Sequence, residues 1–271
     1  MFRKLLGIFF FFTISSEVIS RIPNDDRLLK IEFRQLLPVK EEYIVLDKNE
    51  IHEKLRTLEM GEAIPYELEN LENEEDEYTI KSAMDIFKQY TCIRFRSRTD
   101  SDQEYLFISG NSSECSTTSK NEFVLIELAP DCLLRVGTTL HEFMHAMGFA
   151  HEHMRPDREE YINILTENIQ NGYEDQFEIL TEYDTLGLPY DFDSVLHYSP
   201  WAFQSKDAPT IEAKDNYIEF QERMGQRAGF SKGDIAKINV KLCPEKSEQF
   251  HLSEDFLYAK TPIPISNNSI Y

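Results

Sequence analysis

Between residues 141 and 151 the chain reads His141-Glu142-Phe143-Met144-His145-Ala146-Met147-Gly148-Phe149-Ala150-His151, and no other stretch restricts its folding as tightly. Two histidines four residues apart meet only if the segment is helical, because one turn brings side chains at i and i+4 onto the same face. Val136, Leu140, Phe143 and Met147 form an apolar stripe at helical spacing that turns His141 and His145 the other way. Gly148 can take a positive φ and end the helix, which lets His151 return toward the first two. Three neutral imidazole nitrogens suit one zinc ion and leave a position open for water, whose pKa then falls to about 7, and Glu142 stands beside them to take its proton. Chance would produce this spacing in a chain of such length with odds on the order of 10⁻⁵. His153, two residues beyond the third ligand, reads as a solvated bystander.

Residues 1–20 run from Arg3 and Lys4 through an apolar stretch, Leu5 to Ile14, to a polar stretch that ends in Val18-Ile19-Ser20. This is the layout of a secretory signal peptide, so a secreted, extracellular protein is expected. The apolar stretch falls short of the roughly 20 residues a membrane-crossing helix needs, and no membrane partner is expected. A formal net charge of −21 opposes binding to nucleic acid, and reads otherwise as a solvated acidic surface. The chain has four cysteines, and an even number behind an export signal suggests two disulfides. Three pairings are possible; Cys115 with Cys132 is the natural local bridge, leaving Cys92 for Cys243. Asn111-Ser112-Ser113 and Asn267-Asn268-Ser269 are glycosylation sequons in an exported chain.

Residues 21–60 are charged and lack glycine, and read as a pro-segment or N-terminal arm. Residues 61–243 read as the folded domain. In it, residues 63–68 look like a strand, 70–77 like an acidic surface loop, and 78–90 like a half-buried helix with Ile80, Ala83, Met84 and Phe87 inward. Three further strands are expected at 92–96, 105–108 and 123–128. Beyond Gly148 the pattern becomes irregular as far as Cys243, a region that needs a metal and disulfides to hold it. Residues 244–271 have no cysteine and little periodicity, and read as an extended C-terminal tail.

From His151 the chain continues Glu152-His153-Met154-Arg155-Pro156-Asp157-Arg158. The whole run resembles H-E-x-x-H-x-x-G-F-x-H-E-x-x-R-x-D-R, the signature of the astacin family within the metzincin clan. Ile64-Pro65-Tyr66, Thr91 to Phe95, Tyr190 to Tyr198, and Gly225-Gln226-Arg227 with Ser231 and Asp234 are also similar to that family, so the likeness covers about residues 62 to 243. The resemblance implies an α+β metzincin, zincin-like domain: a twisted sheet with two long helices in the N-terminal half, an irregular C-terminal half, and zinc in the cleft between. It implies a zymogen of a zinc endopeptidase, expected to be a monomer, acting on proteins or peptides laid along a sheet edge. Under it His141, His145 and His151 hold one zinc ion per subunit, Glu142 is the general base, and Tyr198 ligates zinc at rest and then stabilises the oxyanion. Glu152 would anchor a trimmed N-terminus, and the cysteines would pair first with last and second with third.

The chain departs from the family at four places. Leu196 replaces the methionine under the zinc, a change that roughly conserves volume. Ser116 to Asn121 replace the glycine-rich strand on which the family lays substrate. The pro-segment lacks F-x-G-D, with Asp47 the nearest stand-in for its zinc latch, and Glu159 stands where aspartate is usual. Leu196 and the altered edge motivate a rival, a weak or inactive zinc-binding decoy on the same fold, against which the intact Glu142 argues. A second rival, an interaction protein with structural zinc, lacks a thiolate placed to close the fourth position.

Overall fold

A computed structural model describes residues 62–110, 112–243 and 245. Its main sheet has strand order β2-β1-β3-β5-β4, built from β1 (Ile64–Glu69), β2 (Phe95–Ser97), β3 (Tyr105–Ser109), β4 (Cys115–Ser119) and β5 (Phe123–Leu128). The first four in that order are mutually parallel, and β4 runs antiparallel along β5 with Thr117 opposite Ile126. Along β3 and β5 the side chains alternate, burying Leu106, Ile108, Val124, Ile126 and Leu128. Against them pack Ile80, Ala83, Met84 and Phe87 from helix α1 (Glu74–Tyr90) and Leu140, Phe143 and Met144 from α3 (Val136–Ala146). The short α2 (Pro130–Leu133) leads into α3.

Three expectations need correcting here. Residues 74–77 are not loop but the first turn of α1. Asn73 caps that turn by accepting from the N–H groups of Glu75 and Asp76, and four acidic residues sit at the end where the helix dipole favours them. Residues 92–94 do not join β2: Cys92 is bonded to Cys243, and Arg94 Nη1 donates to the Thr91 and Ile93 carbonyls, which bends the chain before Phe95. A strand that was not expected, β4, forms where the glycine-rich strand is replaced, and it consists of Cys115 followed by serines and threonines. Threonine suits a pleated, half-buried surface, and pairing to β5 does not require glycine.

The C-terminal half is a succession of 3₁₀ turns with a two-stranded sheet, β6 (Ile162–Ile164) on β7 (Ile211–Ala213), around an aromatic core of Tyr161, Phe177, Tyr190, Phe192, Tyr198 and Phe220. It ends in a regular helix, α4 (Lys232–Leu242), where irregular chain was expected. Ser231 and Asp234 form a reciprocal capping box at its start, a signal present in the sequence. Disulfides join Cys92 to Cys243 and Cys115 to Cys132, with Cα separations of 5.6 and 6.2 Å. The signal peptide, the arm at 21–60 with Asp47, both sequon asparagines and all of the tail but residue 245 lie outside the described residues. No helix among the described residues is long and apolar enough to cross a membrane.

Candidate metal centre

Helix α3 is buried on every side from Gly137 to Ala146. It ends at Ala146, and just past its cap Gly148, whose φ of 79° is open to glycine at no steric cost, turns the chain back so that His151 reaches His141 and His145. The ligand atoms of the three histidines all lie within 4.8 Å of one another, and each residue is essentially inaccessible to solvent. His141 Nδ1 lies 2.5 Å from the Val195 carbonyl and His145 Nδ1 2.7 Å from that of Phe149. A carbonyl oxygen only accepts, so the proton of both rings sits on Nδ1 and each Nε2 presents a bare lone pair.

Those Nε2 atoms are 2.8 Å apart, and His151 Nε2 is 3.3 Å from that of His141. Lone pairs facing each other in a dry interior repel unless a cation lies between them. A tetrahedral zinc with Zn–N distances of about 2.0–2.1 Å places its nitrogens about 3.3 Å apart, and the donor set fits it. Burial, followed by the neighbouring imidazoles, holds the pKa of His145 and His151 well below the usual histidine range, so both are neutral as metal binding requires.

Glu142, on the same helix, is also buried, with Oε2 accepting from the Thr117 hydroxyl of β4 at 2.6 Å. From the C-terminal half, the Tyr198 ring lies with its centroid 4.3 Å from that of His151. His153 is not solvated as expected but fully buried: it stacks on Tyr198 at 4.1 Å, packs beside Phe177 and donates from Nε2 to the Gln176 carbonyl at 2.9 Å. The aromatic core closes over a position that sequence polarity alone placed at the surface. Leu196 is buried in the N-terminal core, and its carbonyl accepts from the Glu152 N–H at 3.0 Å, so the turn beneath the histidines is formed with leucine in place of methionine.

Glu152 is wholly buried. Its Oε1 accepts from Arg155 Nη1 at 3.1 Å and from the Asp191 N–H at 2.9 Å, and its Oε2 from the Tyr183 hydroxyl at 3.1 Å and from Lys237 of α4. Burial alone would push this carboxyl up, but Lys237 and then Arg155 outweigh it and bring the pKa down to about 2. Nearby, burial and then the charge of Asp234 push Asp191 up to about 7. Sequence reasoning missed Lys237, Thr117 and Asp234 as supports of this region. Asp234 accepts from the Val195 N–H at 2.9 Å, and so holds the residue whose carbonyl, in the next peptide unit, orients His141.

A buried helix carrying two histidines and a glutamate, with a third histidine returning after a glycine break, defines the metzincin class of zinc metallopeptidases. The family model for the astacin peptidase family matches residues 50–243, and the chain belongs to that family. Among similar proteins, zinc metalloproteinase nas-14 of Caenorhabditis elegans is 37% identical over 193 residues, covering 68% of this chain and 37% of its own length. Zinc metalloproteinase nas-4 of the same organism is 37% identical over 209 residues, covering 75% and 65%. The solved structure of high choriolytic enzyme 1, a hatching enzyme zinc-protease from the medaka Oryzias latipes, matches with a TM-score of 0.60 at 31% identity, covering 66% of this chain and 88% of that one. The chain thus spans between about two fifths and two thirds of the length of these curated relatives.

Proposed function

We propose that this chain is a secreted zinc endopeptidase that hydrolyses peptide bonds in proteins or peptides. The observation that carries the reading is the convergence of three buried imidazoles, two of them on one helix with Glu142, since a purely structural zinc site has no use for an adjacent base. Zinc held there supplies Lewis acidity for polarising the scissile carbonyl and for activating water. Glu142 takes the proton from the attacking water and delivers it to the leaving amine nitrogen, so that the amide bond breaks as the acid and amine products form. Tyr198 supplies a phenolic donor for the oxyanion that develops on the substrate, and its place beside His151 supports that role.

Residues 1–20 are read as the export signal, 21–60 as a pro-segment or N-terminal arm, 61–243 as the catalytic domain and 244–271 as a tail. Two disulfides suit an oxidising, extracellular setting. The test is cleavage of a denatured protein by purified wild type and by Glu142→Gln at equal zinc content, with and without a chelator. Turnover that stops with the chelator and falls at least a hundredfold in the glutamine variant is expected. Equal turnover in the two proteins would exclude Glu142 as the base.

A further inference from the structure

The strand β4 reaches the metal centre through one side chain. Cys115 and Thr117 face inward while Ser116 and Thr118 are only partly buried, the alternation of an edge strand. The Thr117 hydroxyl oxygen lies 2.6 Å from Glu142 Oε2 and 3.0 Å from the Glu142 backbone oxygen. A hydroxyl has one proton, and the shorter contact, to a carboxylate, is the charge-assisted bond of 2.5–2.7 Å expected of O–H···O⁻. The threonine itself is held firmly: pairing to Ile126 fixes its backbone, and two residues earlier Cys115 is tied to Cys132 of α2. Residue 117 is 1% exposed, so no water competes for the bond.

We propose that Thr117 is a positioning residue for the proposed base: its hydroxyl, mounted on β4, fixes the Glu142 carboxylate in the orientation from which it takes the proton of the attacking water. This rests on the peptidase reading above. A base must sit within hydrogen-bond reach of its proton, and a carboxylate free to turn about its last torsions spends much of its time elsewhere. The edge strand therefore serves the chemistry directly as well as the sheet. A merely structural role, holding β4 to α3, makes a different demand, because it would be met or lost through packing and would appear in stability and zinc retention.

The experiment uses the protein produced as the full chain and processed to its activated form, with Thr117→Val, Thr117→Ala and Thr117→Ser, each assayed for zinc per chain, kcat and KM on one peptide, with crystal structures of the zinc-loaded proteins. Expected are wild-type zinc content in all three, kcat lower by about 10- to 100-fold in the valine and alanine variants with KM within about twofold, and kcat restored to within about threefold by serine. In the crystals, the Glu142 carboxylate should leave its wild-type position in the valine and alanine variants and keep it in the serine variant. Wild-type kcat without the hydroxyl, or a serine variant as slow as valine, would overturn the proposal while leaving the peptidase reading intact. If valine does not fold, alanine decides. If the wild type itself does not turn over, the peptidase reading fails, and an unmoved carboxylate in the crystals overturns the positioning role as well.

Discussion

Replacing Lys237 with methionine should destabilise the domain by about 3 kcal/mol, and the reason lies in what is left behind. Glu152 is inaccessible to water, and its four acceptor sites are filled by Arg155, Asp191, Tyr183 and Lys237. Methionine keeps the length and volume of the lysine stem but removes the ammonium. The interval between the ordinary carboxyl value of 4.5 and about 2 corresponds to roughly 3 kcal/mol of stabilisation at neutral pH, and Lys237 is the largest charge producing it. Breaking a buried pair from one side costs about 3–5 kcal/mol, and Arg155, which remains, keeps the expected loss at the low end. For a domain of this size that is a drop of roughly 6–12 °C in Tm.

The sign with pH follows from the depressed carboxyl. Stability from Glu152 is present above its unfolded value of 4.5 and is lost as pH falls toward 2. Without Lys237 the folded pKa rises, so acid unfolding begins at a higher pH. Thermal and urea unfolding followed by circular dichroism between pH 2 and pH 8 measures both effects. A loss below about 1 kcal/mol with an unmoved acid limb would refute the claim that Lys237 compensates this charge.

Two other perturbations probe the same region. A Cβ at Gly137 would lie 2.1 Å from the Arg227 carbonyl oxygen, so Gly137→Ala must push α3 away from that loop; a loss of about 1–3 kcal/mol is expected in urea unfolding, and an unchanged midpoint would show that the contact yields freely. Asp191, pushed up to about 7 by burial and then by Asp234, lends stability that is complete below its unfolded value of 3.8 and lost as pH rises through 7, so Asp191→Asn should flatten the decline in Tm between about pH 4 and pH 7; an unaltered slope would assign that decline to another group.

The metal ligands were legible because their chemistry and their spacing coincide: His141 and His145 fall one helical turn apart, and only a chain reversal such as Gly148 provides can bring in His151. Strands β1, β3 and β5 were legible from alternating or continuous apolar runs. The elements misread were governed by partners far away in sequence. Cys92 belongs to the neighbourhood of Cys243, which is why β2 starts late. His153 is polar in the sequence, yet it lies within an aromatic core assembled from Phe177 and Tyr198. Lys237 would pass for a surface residue until Glu152 is found beneath it. By contrast, the start of α1 and the whole of α4 carried local signals in Asn73 and in the Ser231–Asp234 pair, the first misread because its acidic residues suggested loop and the second because the region after Gly148 showed no regular period.

The bond between Cys92 and Cys243 has a consequence for damage. It joins positions 151 residues apart, closing the described domain from β2 to the end of α4 into a covalent ring. A ring cut once stays in one piece. If a protease clips any exposed turn between the two cysteines, the fragments cannot diffuse apart, and the severed ends remain beside each other on a folded framework. A preparation nicked in this way would run as a single band until reductant is added and as two bands afterward. The count of intact chains therefore has to be read under reducing conditions.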